Sequence, residues 1–212
     1  MLTRRRRHRL AALAAVLLAA SAATVLGGCS SGGHPATTPG FSETSSSGFD
    51  GAAFGRGRTA PGFTLTDQLG HSVSLGSYRG RVVILAFVYS TCGRVCSLLA
   101  QQIRGALDEL AKPVPVLFVS AAPTEDSRAS VAAFLSGASL AGRALYLTGS
   151  LARLRPLWRA YRVTPPEHDR AGFENTISVY LLDGAGDERV LFQLEELTPE
   201  ALVHDVRRLG GD

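Results

Sequence analysis

Residues 81–96, RVVILAFVYSTCGRVC, decide how the chain is read. The first part, Arg81 to Ser90, is almost unbroken apolar sequence rich in β-branched residues, with no polar alternation. Such a run fits a strand buried on both faces, as in the parallel part of an α/β sheet. Immediately after it, Cys92 and Cys96 stand four apart, separated by Gly93, Arg94 and Val95. The next stretch, SLLAQQIRGALDELA, places Leu99, Ile103, Ala106, Leu107 and Leu110 at the period of an amphipathic helix. The cysteines therefore sit where a buried strand hands over to a helix. Unpaired N–H groups and the positive end of a helix dipole favour a thiolate there, and Arg94 adds a positive charge. If that first turn is helical, the two Cα atoms lie ~6 Å apart, within disulfide range. Two convergent thiolates also suit Cu(I). A structural staple, a soft-metal site and an electron-exchanging pair are all open at this point. The staple is disfavoured, because closing so short a loop removes little entropy from the unfolded chain.

Outward from this junction the same grammar repeats. FTLTDQLGHSVSL alternates around Leu69-Gly70 and predicts a hairpin. VPVLFVS predicts a second buried strand, and TEDSRASVAAFLSG a helix with an acidic first turn. ALYLTG reads as a short strand and SLARLRPLWRAYRV as a helix bent or delayed by Pro156, with Trp158 and Tyr161 in the core. TISVYLLD, a turn at Gly184 to Gly186, and RVLFQL form a hairpin. A closing helix follows, with Thr198 as N-cap, Pro199 at its first position and Gly210 past its end. Strands alternating with helices and ending in a hairpin and a helix predict an α/β domain with a central mixed β-sheet flanked by helices and an N-terminal β-hairpin. The cysteine pair at the junction of the first buried strand and its helix fits a thioredoxin-like fold.

The pI of 9.3 invites a nucleic-acid reading, but the basic charge is local. Arg4, Arg5, Arg6, Arg7 and Arg9 precede the run LAALAAVLLAASAATVL, and residues 1–28 contain no acid. Beyond residue 28 the net charge is −1 and no basic stripe remains, so nucleic acid is not an expected partner. Residues 1–28 read as a lipoprotein signal peptide. LGGC, Leu26 to Cys29, resembles a bacterial lipobox, with Cys29 lipidated as the mature N-terminus. Read as an uncleaved anchor, the same leader would leave Cys29 an unmodified thiol. Residues 29–58, rich in Ser, Gly, Thr and Pro, read as a disordered tether, and 59–212 as the folded domain. The expected location is the extracytoplasmic face of the cell membrane, held by lipid. With Cys29 acylated, Cys92 and Cys96 are the remaining thiols of an exported domain, where a disulfide can persist.

From about Phe63 to Leu209 the chain resembles the Sco/SenC family, thioredoxin-fold proteins that help assemble the copper site of cytochrome oxidase. The likeness rests on FTLTDQLGHSVSLGSYRGRVVILAFVYSTCGRVC, FVSAAPTEDSRASVAAFL, LTGSLARLRPLWRAYRV and NTISVYLLDGAG, in that order. It implies a Cys92–Cys96 dithiol that binds copper or exchanges as a disulfide, and a cytochrome oxidase subunit or other copper or thiol acceptor as partner. Three positions depart from the pattern. Ser97 stands for a proline after the second cysteine, and Ala122 for an aspartate. Asn175 stands where the family's copper-binding histidine is expected, facing the cysteines, with Glu174 beside it as a group able to tune a cysteine. An amide oxygen is a poor copper ligand beside imidazole. His168, seven residues earlier, is the candidate third ligand in its place, although a loop histidine defaults to solvent. His34, His71 and His204 have no cysteine or carboxylate cluster beside them in sequence. STCGRVC lacks the Thr-x-x-Cys of peroxiredoxin-like enzymes. Two further functions stay open: a general exported thiol–disulfide oxidoreductase without a physiological copper role, and a tethered binding module with a structural disulfide.

Overall fold

The computed structural model describes residues 47–210. The leader, Cys29, His34 and the tether as far as residue 46 lie outside them. In chain order the elements are β1 (Ala52–Ala53), β2 (Thr64–Thr66), β3 (Ser72–Ser74), a 3₁₀ turn (Leu75–Tyr78), β4 (Val83–Val88), α1 (Arg94–Glu109) and β5 (Val116–Ser120). There follow α2 (Arg128–Gly137), β6 (Ala144–Leu147), α3 (Leu151–Ala160), α4 (Arg170–Thr176), β7 (Ser178–Leu182), β8 (Glu188–Gln193) and α5 (Pro199–Arg208).

The apolar run at 83–88 becomes the strand that both faces of the sheet need. Ile84, Ala86 and Val88 pack on one side against Leu99 and Ile103 of α1. Val83, Leu85 and Phe87 pack on the other with Leu154, Leu157 and Trp158 of α3. All six residues of β4 are buried, which explains the missing alternation. Each fully buried Leu or Ile of this kind contributes roughly 1.5–3 kcal/mol through area removed from water. Among the described residues the main sheet runs β1-β8-β7-β4-β5-β6. β4, β5 and β6 are parallel, since α1 and α2 return the chain to the starting end each time. β7 is antiparallel to both β4 and β8, so the sheet is mixed as expected. β2 and β3 form the separate hairpin, tied to the end of β6 by a bridge between Thr66 and Thr148. Trp158 and Tyr161 are buried, and the Trp158 indole N–H donates to the Ser120 carbonyl at 3.0 Å.

Four local expectations are corrected. Residues 47–58 are part of the fold, not of a disordered tether. β1 pairs with β8, and Phe49 packs on the core. The buried Asp205 carboxylate accepts the N–H groups of Asp50 at 2.9 Å and Gly51 at 3.0 Å, and Arg58 reaches Glu188 at 2.6 Å. These partners lie more than a hundred residues away, so no local period announces them. The acidic first turn of α2 is absent, because the helix begins only after Ser127, whose hydroxyl accepts from the Ser130 N–H. Pro156 does not delay α3, which starts at Leu151 and contains it. Finally, the loop before Asn175 contains a helix, α4, capped by the Asp169 carboxylate accepting from the Gly172 N–H. No helix of the described residues is long and apolar enough to cross a membrane.

Candidate functional site

The site forms where β4 runs out. The Cys92 N–H donates to the Tyr89 carbonyl at 3.1 Å, closing a turn. Gly93 then takes φ +72°, and α1 starts at Arg94. An added Cβ at Gly93 would meet nothing within 4 Å, so the backbone conformation, not crowding, is what calls for glycine. Cys92 precedes the helix and Cys96 lies in its first turn. They form a disulfide with Cα atoms 5.6 Å apart. The separation matches the helical expectation, but only one of the two residues is helical. Cys96 is fully buried and Cys92 is 6% exposed, so an incoming thiolate meets Cys92 first. Arg94 is exposed at the helix start, where a cation favours a thiolate once the bridge is reduced.

The three residues before Cys92 are each anchored by side chains from distant segments. The Tyr89 hydroxyl accepts from Arg170 at 2.5 Å and donates to Glu174 at 3.3 Å, and its ring meets Phe173 edge-on at 5.2 Å. The Arg170 guanidinium also lies over that ring, 5.0 Å from its centre. Burial pushes the Tyr89 hydroxyl above its ordinary pKa, with Arg170 opposing and Glu174 adding. The Ser90 N–H donates to Asp126 at 2.7 Å. The Thr91 hydroxyl donates to Glu125, which Arg170 engages at 3.1 Å. Tyr89, Glu125, Asp126 and Arg170 were not legible as site residues, because they meet across 34 to 85 residues of chain.

Glu174 is therefore bound to Tyr89, not simply solvated. Asn175 is exposed on α4, one residue beyond it. His168 is 70% exposed, with Glu167 at 3.6 Å. Among the described residues, neither His168 nor any other histidine or carboxylate gathers with the two sulfurs as a third ligand atom within 4.8 Å. The group that does meet that spacing is Asp50, His204 and Asp205, where His204 joins the hydrogen bonds that hold β1.

A mixed sheet with a disulfide-linked cysteine pair between its central strand and the following helix defines a thioredoxin-like fold. Within that class the chain belongs to the SCO1/SenC family, whose model matches residues 52–210. The structure is similar to apo Sco1 from Thermus thermophilus, at 21% identity over 76% of this chain and 96% of that one, TM-score 0.61. It is also similar to copper-bound ScoI from Bradyrhizobium japonicum, at 26% identity over 71% and 99%, TM-score 0.53. A third likeness is to BsSco, at 22% identity over 72% and 93%, TM-score 0.59; BsSco is described as having a disulfide switch and belonging to a family of cytochrome c oxidase assembly proteins. No curated protein sequence matches the chain. Family membership supports a copper-site assembly or thiol-redox role.

Proposed function

We propose that this is a lipid-anchored protein of the extracytoplasmic membrane face that assists assembly of the copper site of cytochrome oxidase through Cys92 and Cys96. The observation that carries the reading is the paired cysteines at the start of α1 in a SCO1/SenC fold, one touching the surface and one sealed behind it. In the reduced protein the Cys92 thiolate attacks a disulfide of the acceptor, forming a mixed disulfide and releasing one acceptor thiolate. The Cys96 thiolate then attacks the Cys92 sulfur, closes the bridge and releases the second. Two electrons pass to the acceptor, whose thiolates are then free to take copper. Copper is cargo in this scheme. Two soft thiolates on adjoining backbone fit two-coordinate Cu(I), and the lack of a clustered third ligand makes a poor Cu(II) site.

That same lack favours a second reading, a general exported thiol–disulfide oxidoreductase. The burial of Cys96 favours a third, a structural bridge in a tethered module. Anaerobic Cu(I) titration of the reduced protein, beside a measured Cys92–Cys96 reduction potential, separates the three. Stoichiometric Cu(I) binding lost in Cys92→Ser supports copper-site assembly. A reversible bridge above roughly −300 mV without Cu(I) binding supports the oxidoreductase. A bridge inert to dithiols in the folded protein supports the staple. Mass spectrometry of membrane-extracted protein tests the anchor: an acylated Cys29 at the N-terminus is expected, and retention of Met1 overturns it.

A further inference from the structure

At the pole opposite the cysteines, a groove of about 590 Å³ crosses the segments that lead into β5 and β6. The cysteines follow the C-terminal end of β4, and β4, β5 and β6 are parallel, so the two sites lie at opposite ends of the sheet. The groove's size falls in the roughly 300–1,000 Å³ range of small-molecule sites. Its floor is apolar: Val114, Leu135 and Ala144 are buried beneath it. Pro113 and Pro115 line one wall and carry no N–H, so that stretch of backbone offers no donor. Leu69 at the hairpin turn stands at the lip, 69% exposed.

The polar lining is as informative as the apolar floor. Gln68 is already spent, donating to the Ala144 carbonyl at 3.5 Å and accepting from the Tyr146 N–H at 2.9 Å. The Ser136 hydroxyl donates within its own helix to the Ala132 carbonyl. The remaining polar side chains of the lining are donors: the Tyr78 hydroxyl and the guanidiniums of Arg81 and Arg143. Among the described residues Arg81 has a carbonyl, that of Pro113, at 3.4 Å and the Tyr78 ring at 6.0 Å, but no carboxylate partner. Arg143 shares the single carboxylate of Asp108 with Arg104. No aspartate or glutamate lines the groove. Hydrocarbon below, and at the rim the guanidinium of Arg81 with that of Arg143, which shares the one carboxylate of Asp108 with Arg104, complement a ligand with an apolar tail and an anionic head.

We infer that this groove binds a free single-chain anionic amphiphile, a fatty acid whose tail lies on Val114, Leu135 and Ala144 and whose carboxylate meets Arg81 and Arg143. The site is independent of the cysteine chemistry. The test uses the full-length protein in its membrane and a dodecanoate carrying a photoactivatable diazirine on its chain, with adducts mapped by mass spectrometry. Labelling is expected within 113–117 and 132–145, competed by unlabelled dodecanoate and far less by dodecanol. Arg81→Gln should weaken the competition by about tenfold, as loss of one charge-assisted contact does. Ser136→Trp, an exposed substitution that fills the groove, should abolish the labelling. Equal competition by dodecanol, or labelling unchanged in Ser136→Trp, overturns the proposal. Competition by phosphatidylglycerol vesicles with none by free dodecanoate also overturns it, in favour of docking on a bilayer. Self-association of the protein that covers these residues overturns it in favour of a second copy.

Discussion

Asn175 is the residue at which the proposed copper role is most directly tested. It occupies the place read as a histidine position, is exposed on α4, and offers copper only an amide oxygen. The reduced natural protein should bind Cu(I) through Cys92 and Cys96 and bind Cu(II) poorly, since Cu(II) also oxidises the dithiol to the bridge. Asn175→His should create Cu(II) binding with a visible thiolate-to-copper charge-transfer band. His168→Ala should change little in either background, because His168 stands in solvent apart from the sulfurs. A charge-transfer band in the natural protein that disappears with His168→Ala would reverse this assignment. The proposed roles of the two cysteines follow their exposure. Cys96→Ser should leave Cys92 able to trap a mixed disulfide, which Cys92→Ser cannot do.

At the scale of elements, α4 is held to the cysteine loop chiefly through one side chain. Three of its residues, Arg170, Phe173 and Glu174, meet Tyr89. Tyr89→Phe keeps the ring and removes the hydroxyl that both charged groups use, costing about 0.5–1.5 kcal/mol. Amide exchange across 170–176 should rise, and a small dithiol should reduce the bridge several-fold faster. Protection in β4 and β5 should stay as it was; exchange and reduction both unchanged would show that the ring alone holds α4. The β2–β3 hairpin holds one expected source of acid sensitivity. Burial raises the Asp67 pKa, but hydrogen bonds from the His71 and Leu69 N–H groups and the His71 ring outweigh it, leaving the pKa below 3.8. A lowered folded value means that the stabilisation is complete above the unfolded value and lost as pH falls through the folded one. Asp67→Asn should therefore flatten the stability profile below about pH 4 while leaving its neutral limb unaltered in slope. A profile with the same acid limb in both proteins would remove Asp67 from that role.

Across the whole molecule, Asp205 ties the first described segment to the last helix. Its carboxylate takes two backbone N–H groups from the segment around β1, and it lies buried on α5 beside the core residues Leu202, Val203 and Val206. Asp205→Ala should cost roughly 1–3 kcal/mol for the partners left unpaired. Hydrogen exchange should increase at residues 49–53 without disturbing Cys92 and Cys96; unaltered exchange there would mean that strand pairing with β8 alone keeps the segment in place. What the sequence alone determined follows from local physics. The double-faced burial of β4, the amphipathic period of α1, the hairpin turns, the Thr198 and Pro199 helix start and the cysteine pair at a strand–helix junction are all set by neighbours a few residues apart. Only the tertiary structure decided the rest. That includes the membership of 47–58 in the fold, the start of α2 after its acids, the helix before Asn175, the Tyr89–Arg170–Glu125 contacts and the separation of His168 from the sulfurs. The starts of α2 and of the helix before Asn175 rest on local caps, Ser127 and Asp169, that the acidic and loop-like composition around them masks. The placement of 47–58 and the Tyr89–Arg170–Glu125 contacts rest on pairings across 45 to 155 residues, which leave no periodicity in the chain.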